Sequence, residues 1–225
     1  MEAGTIQYRT VALMASADFF KLTVMGKGSH GANPWLGRDP IVISAQVLEG
    51  LQHIVSRQED ITTAPVIITV GAINGGVRNN IIPDSVVMLG TVRALNNAMR
   101  EDVQERIRHT AEHIAASAGA TIRYENETKA LVTSNPVDLT KKTVPLLEKA
   151  IGKENVLETG WKTMAEDYSF YGTKYPAFFF LLGGMPRGSD PAKAPAHHTA
   201  QFAIDESALE TGIKAFCQIA FGYTK

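Results

Sequence analysis

The sequence predicts an α/β protein built around a ferredoxin-like β-α-β-β-α-β unit at residues 18–127. That unit is a four-stranded antiparallel sheet with two helices on one face. Three observations predict it. Two long segments repeat apolar residues at three- and four-residue intervals, as amphipathic helices do. The segments beside them alternate or run apolar over strand lengths. Turn residues separate the pieces. Residues 1–17 and 128–225 read as parts of a second, incomplete α/β layer.

The first strand is Phe19-Phe20-Lys21-Leu22-Thr23-Val24-Met25, with Phe20, Leu22 and Val24 on one face. Gly26 to Pro34 is a loop by composition. A helix then begins at Asp39-Pro40, a side-chain cap followed by the residue best tolerated in the first turn. Its stripe Ile41, Ala45, Leu48, Leu51, Val55 is expected to be buried. Val66–Val70 and Val86–Val92 read as strands, with Asn74-Gly75-Gly76 and Pro83-Asp84 as turn chemistry between them. The second helix spans about 98–118, with Met99, Val103, Ile107, Ala111 and Ile114 in register. Gly119 stops it, and Thr121–Tyr124 closes the sheet.

Beyond that unit, Thr140–Ile151 reads as a helix ended by Gly152. Ala177–Leu182 is apolar on both faces, as expected of a central parallel strand. Asp205 caps a last helix in which Leu209, Gly212, Ile213, Phe216 and Ile219 share a face.

The bulk numbers exclude several classes. With 44% hydrophobic residues, 20% charged residues and a net charge of −1, there is no electrostatic reason to expect nucleic acid or an anionic membrane as partner. One cysteine, Cys217, rules out a disulfide framework and makes a reducing, cytoplasmic setting the expectation. No signal peptide is visible at Met1–Thr5, and the apolar run Ala177–Leu182 is too short to span a bilayer.

Single candidates carry little. A lone histidine in a glycine-rich loop, such as His30, is more often structural than catalytic. Asn79–Asp84 reads as a turn, Arg93 as a surface charge, and Glu166-Asp167 as the cap of a short helix. His53, His109 and His113 lie off the apolar stripes and read as solvated. The joint pattern is more specific. Gly26-Lys27-Gly28-Ser29-His30-Gly31-Ala32, Asp39-Pro40, Asn80-Ile81-Ile82-Pro83-Asp84, Gly90-Thr91-Val92-Arg93, Glu166-Asp167-Tyr168 and His198-Thr199 follow in fixed order and spacing. Together they resemble the dinuclear metal-dependent amidohydrolases of the aminoacylase/carboxypeptidase family, nearest to its hippurate hydrolase and indoleacetyl-amino-acid hydrolase branch. The resemblance covers nearly the whole chain.

The resemblance implies a catalytic α/β domain carrying an inserted lid that dimerises. Residues 18–127 would be the lid, and residues 1–17 with 128–225 parts of the catalytic domain. His198 matches a metal ligand, although Ala200 stands where proline is common. His30 matches a lid histidine that reaches the partner subunit's site and stabilises the oxyanion. Asn80 and Arg93 match residues holding the substrate's carboxylate, and Gly183 a backbone contact to the same substrate. The metal implied is divalent, zinc first, with manganese, cobalt or nickel compatible. The substrate implied is an N-acyl amino acid or a similar small amide, and the assembly a homodimer through the lid. The other metal ligands and the general-base glutamate have no match here, so the chain is expected to be a fragment or a truncated product, inactive alone. The rival expectation is a non-catalytic dimerisation or binding module derived from such an enzyme.

Overall fold

The computed structural model describes residues 1–224. In chain order the strands and helices begin with β1 (Ile6–Tyr8), β2 (Val11–Met14), β3 (Ala17–Met25), β4 (Ser29–His30), α1 (Pro40–His53), β5 (Val66–Gly75) and β6 (Ile81–Ile82). There follow β7 (Ser85–Ala94), α2 (Asn97–Ser117), β8 (Thr121–Ala130), β9 (Thr133–Asn135), α3 (Val137–Ile151), β10 (Val156–Glu158), β11 (Leu181–Leu182) and α4 (Ser207–Tyr223). The chain divides into two compact units. One holds Met14–Val132 with Thr163–Ser169; the other holds Met1–Leu13, Thr133–Lys162 and the described residues from Phe170 on.

The first unit is a four-stranded antiparallel sheet in the order β5-β7-β3-β8, with α1 and α2 supplying the other side of its core. Strand alternation sets the buried face. Phe20, Leu22 and Val24 of β3 point inward with Met88 and Val92 of β7, against Ile43, Val47, Leu51 and Ile54, and against Val103, Ile107, Ala111 and Ala115 of α2. Each helix starts where a side-chain acceptor meets bare N–H groups. Asp39 Oδ1 accepts from Ile41 N at 2.9 Å and Val42 N at 3.4 Å, and Asn96 Oδ1 from Met99 N at 3.1 Å.

Two expectations for this unit need correcting. On α1 the buried stripe is Ile43, Val47 and Leu51, continued by Ile54, whereas Ile41 and Ala45 are exposed and Leu48 and Val55 half-buried. Of the expected stripe, Leu51 is fully buried and Val55 packs against the core, while its N-terminal part, Ile41 and Ala45, lies outside. The strands are also longer than the apolar runs: β5 continues through a register shift between Val70 and Ala72, and β8 runs on to Ala130.

In the second unit a three-stranded sheet has the order β10-β1-β11. The expected central parallel strand at Ala177–Leu182 is instead a two-residue edge strand, Leu181–Leu182, antiparallel to β1. The centre is β1, which pairs in parallel with β10. The Phe178 and Phe180 rings pack on the small core of Ile6, Leu147, Val156 and Ala215, which explains why the run reads as core. On α4 the buried residues are Ala208, Gly212 and Ala215, while Leu209, Ile213 and Phe216 remain more than half exposed.

Candidate functional site

Within the first unit the expected site residues fall into two separate places, and the others belong to the second unit. The first is a short ribbon that prolongs the β3–β7 pair beyond the sheet, where β4 and β6 pair with His30 opposite Ile81. Its base is fixed by Asp84, whose carbonyl accepts from Gly26 N and whose Oδ1 accepts from Gly28 N, each at 2.8 Å. Gly31 N then donates to the Asn80 carbonyl at 2.8 Å. A Cβ on Gly31 would sit 3.2 Å from that carbonyl, so the close approach favours glycine. These contacts bring His30 and Asn80, fifty residues apart in sequence, to one exposed tip.

The His30 ring is held from one side. Nδ1 accepts the Ala32 N–H at 3.0 Å. An imidazole nitrogen that accepts carries no proton in the neutral ring, so the proton belongs on Nε2, which is left as a donor. The Asn80 side-chain amide has no partner among the described residues.

Arg93 lies elsewhere. It is eight residues along β7 from Ser85, roughly 25 Å at about 3.3 Å per residue, at the end where the chain enters and leaves this unit. Its neighbours Val92 and Ala94 are buried toward the helices, so Arg93 points to the open face, half-buried, with no ion pair or hydrogen bond among the described residues. Within one chain, therefore, Asn80 and Arg93 do not share a ligand.

The remaining expected residues are in the other unit. His198 is exposed on a loop with φ of 64°, a left-handed backbone that a residue with a Cβ seldom adopts. Thr199 Oγ1 donates to the Ala196 carbonyl at 2.8 Å and closes the turn. The His197 ring packs on Phe202 with centroids 4.6 Å apart, and the His198 imidazole has no partner among the described residues. Asp205, expected as the cap of α4, lies one residue before the actual N-cap Glu206, and its Oδ1 accepts from Ser207 N at 2.9 Å; hydrogen bonds from Ser207 hold its carboxyl below the usual range. Gly183 is buried, and its N–H donates to the Thr5 carbonyl at 2.9 Å. A Cβ there would collide with the Glu2 carbonyl, so the protein's own backbone already demands glycine.

Sequence reasoning missed one surface. Ile41, Ala45 and Leu48 of α1 line a shallow depression of about 270 Å³ together with Ile73, Gly75 and Val86, beside the open edge of β5. The signal was present as a second apolar stripe on α1. No group of three or more His, Cys, Asp or Glu side chains is placed to hold a metal ion among the described residues, and no described helix is long and apolar enough to cross a membrane.

Comparison with known proteins supplies the context. Residues 16–118 match the family described as the peptidase dimerisation domain. A thermostable carboxypeptidase of Saccharolobus solfataricus is 31% identical over 224 residues, covering 99% of this chain and 55% of the relative. An N-acetyl-L-cysteine deacetylase of Bacillus subtilis is 36% identical, over 92% of this chain and 47% of its own length. An Arabidopsis thaliana IAA-amino acid hydrolase is 32% identical, over 98% and 51%. Among solved structures, the Bacillus subtilis YXEP protein, a dinuclear metal binding peptidase from the M20 family, superposes with a TM-score of 0.75 at 26% identity, covering 98% of this chain and 53% of that one. The chain thus spans about half the length of the curated relatives it matches.

Proposed function

We propose a division of labour between subunits for a chain that belongs to the M20 metal-dependent hydrolases: His30 and Asn80 of one subunit serve a substrate whose carboxylate is held by Arg93 of the other. In the full-length enzyme the reaction is hydrolysis of the amide bond of an N-acyl amino acid or a similar small amide, in line with the deacetylase and amino-acid hydrolase among the relatives. The observation that carries this reading is the separation of the His30–Asn80 tip from Arg93 by the length of β7. A small amide cannot reach both within one chain.

Each group suits its task. The Nε2 donor of His30 is turned outward by the Ala32 contact, and it stabilises negative charge as that charge develops on the carbonyl oxygen. The unpaired guanidinium of Arg93 offers a planar fork for a carboxylate, and Asn80 an amide donor. Gly183 contributes through its main chain only.

Pairing of two chains through the first unit fits the β5 edge. That strand has no charged residue, and the apolar stripe of α1 lies beside it. The free, exposed Cys217 fits a reducing cytoplasm.

The metal is the point where this chain falls short. His198, with its strained backbone and unengaged ring, is suited to ligate a zinc ion, but hydrolytic zinc sites use at least three protein ligands. One imidazole does not fit such a centre. The remaining ligands and the general base are assigned to the part of the relatives' length that this chain does not span, and the chain by itself is expected to leave hippurate and N-acetyl amino acids intact.

Mixed-subunit complementation tests the division of labour. His30→Ala and Arg93→Ala in the full-length enzyme are each expected to be inactive. Equal mixing should recover about a quarter of the parental activity, because half the dimers are mixed and each mixed dimer keeps one intact site. No recovery, from two variants that still dimerise, places both residues in the same subunit's site and ends the proposal.

A further inference from the structure

Two histidines outside every motif above sit one turn apart on α2, in the run His109-Thr110-Ala111-Glu112-His113. Ala111, between them, is fully buried, and both histidines are exposed. Residues four apart on a helix are surface neighbours. Here the imidazole centroids are 3.9 Å apart, with planes tilted by 34°.

The tautomer of one ring follows from its contact. His113 Nδ1 lies 2.8 Å from the His109 carbonyl oxygen. A carbonyl only accepts, so Nδ1 must carry the proton, and Nε2 of the neutral ring keeps its lone pair away from the backbone. The nearby acids are already engaged. Arg108 Nη1 holds both Glu112 oxygens, at 2.9 and 2.7 Å, and the other arm of the same guanidinium binds Glu105. Glu112 is therefore not a free base between the histidines, and the run offers ligation without hydrolysis.

We propose that His109 and His113 form a two-imidazole chelate for a borderline divalent transition-metal ion such as copper(II), nickel(II) or zinc(II). The spacing is the one that puts two imidazoles on one helix face within reach of a single ion. Imidazole nitrogen selects these ions over calcium or magnesium, which take oxygen ligands. With two protein ligands the remaining coordination positions belong to water or a small anion, so the site exchanges its ion readily. It stands apart from the candidate catalytic residues, since α2 covers the opposite face of the sheet from Arg93. Its fate is independent of the function proposed above.

Copper(II) titrated into the untagged chain at about pH 7.5 tests this by calorimetry and electron paramagnetic resonance. The first equivalent should bind with two-nitrogen character. His109→Gln and His113→Gln should each weaken that equivalent about tenfold or more, because a chelate becomes a single ligand, with the helical circular dichroism unchanged. The double variant His197→Gln/His198→Gln should leave it intact. Equal affinity in the α2 variants, or loss of the first equivalent in the His197/His198 variant, overturns the site. If an α2 variant loses helicity, the unmodified chain still decides. Sub-stoichiometric copper must broaden the His109 and His113 ring resonances before those of the other histidines, and broadening that begins elsewhere overturns the proposal.

Discussion

The four-stranded sheet ends in two edges of opposite chemistry. β5 carries no charged side chain over Val66–Gly75, whereas β8 presents Arg123, Glu125, Glu127 and Lys129 within Thr121–Ala130. Charged side chains on an open edge discourage further strands from pairing, and uncharged ones invite it. The β8 edge is also tied down from within. Arg100 grips the buried Asp18 carboxylate through Nε and Nη2 at 2.8 and 2.6 Å, and Thr128 Oγ1 of β8 donates to the same carboxylate at 2.8 Å. Beside β5 there is instead an apolar depression. The difference teaches which way the sheet can grow: one edge is closed by charge and clamps, and the other is open, as the proposed pairing of two chains requires.

The clamp is where the largest effect is expected. Arg100→Ala leaves the fully buried Asp18 carboxylate without its cation, which typically costs about 3–5 kcal/mol. Urea denaturation should show that loss, and amide exchange should quicken along β8 more than along β5. A loss below about 1 kcal/mol, the scale of an exposed ion pair, would mean that the β8 edge is not held from inside.

The open edge comes next. Ala45→Lys with Ile73→Lys puts like charges in the depression beside β5 without touching the core, since both positions are exposed. If the proposed pairing runs through β5, sedimentation equilibrium should report association weakened roughly a hundredfold, because facing like charges at an interface cost several kcal/mol. Thr121→Lys on β8 should change nothing. Equal weakening by the two changes would erase the distinction between the edges.

The same contrast explains what could be read in advance. The β-α-β-β-α-β order, the Asp39 cap and the inward face of β3 follow from alternation, helical period and capping chemistry, all local signals. The buried face of α1 was legible only toward its C-terminal end, at Leu51 and at Val55 just beyond it, because nearer the N-terminus Ile41, Ala45 and Leu48 form as good a stripe as Ile43 and Val47. Period alone cannot say which stripe meets the sheet. The length of β8 was hidden by its defence: Glu125-Asn126-Glu127 has poor strand propensity, and the charges that protect the edge disguise it. β1 escaped notice because a central strand of three residues has almost no pattern. At the candidate site the residues were legible one by one, but their grouping was not. His30 and Asn80 meet through a ribbon of two residues per strand, and Arg93 is removed from them by a strand length that only the register reveals.

The smallest effect on stability is expected where the charges are most numerous. Arg123 pairs with Glu125 at 2.6 Å, and Lys129 pairs with Glu127 and lies over the Phe19 ring, 5.8 Å from its centroid; all four charged side chains are well exposed. Exposed pairs of this kind contribute about 0–1 kcal/mol each. Replacing all four residues with threonine, a good strand former, should shift the melting temperature by only a few degrees, about the size expected from one such pair. If the charges guard the edge, their removal should appear as association: light scattering on the quadruple variant should show species larger than the parent, growing with concentration, with β8 amides newly protected from exchange. A variant as monodisperse as the parent would mean that charge is not what stops the sheet at β8, and that the Asp18–Arg100–Thr128 clamp, by holding the strand's twist, does so alone.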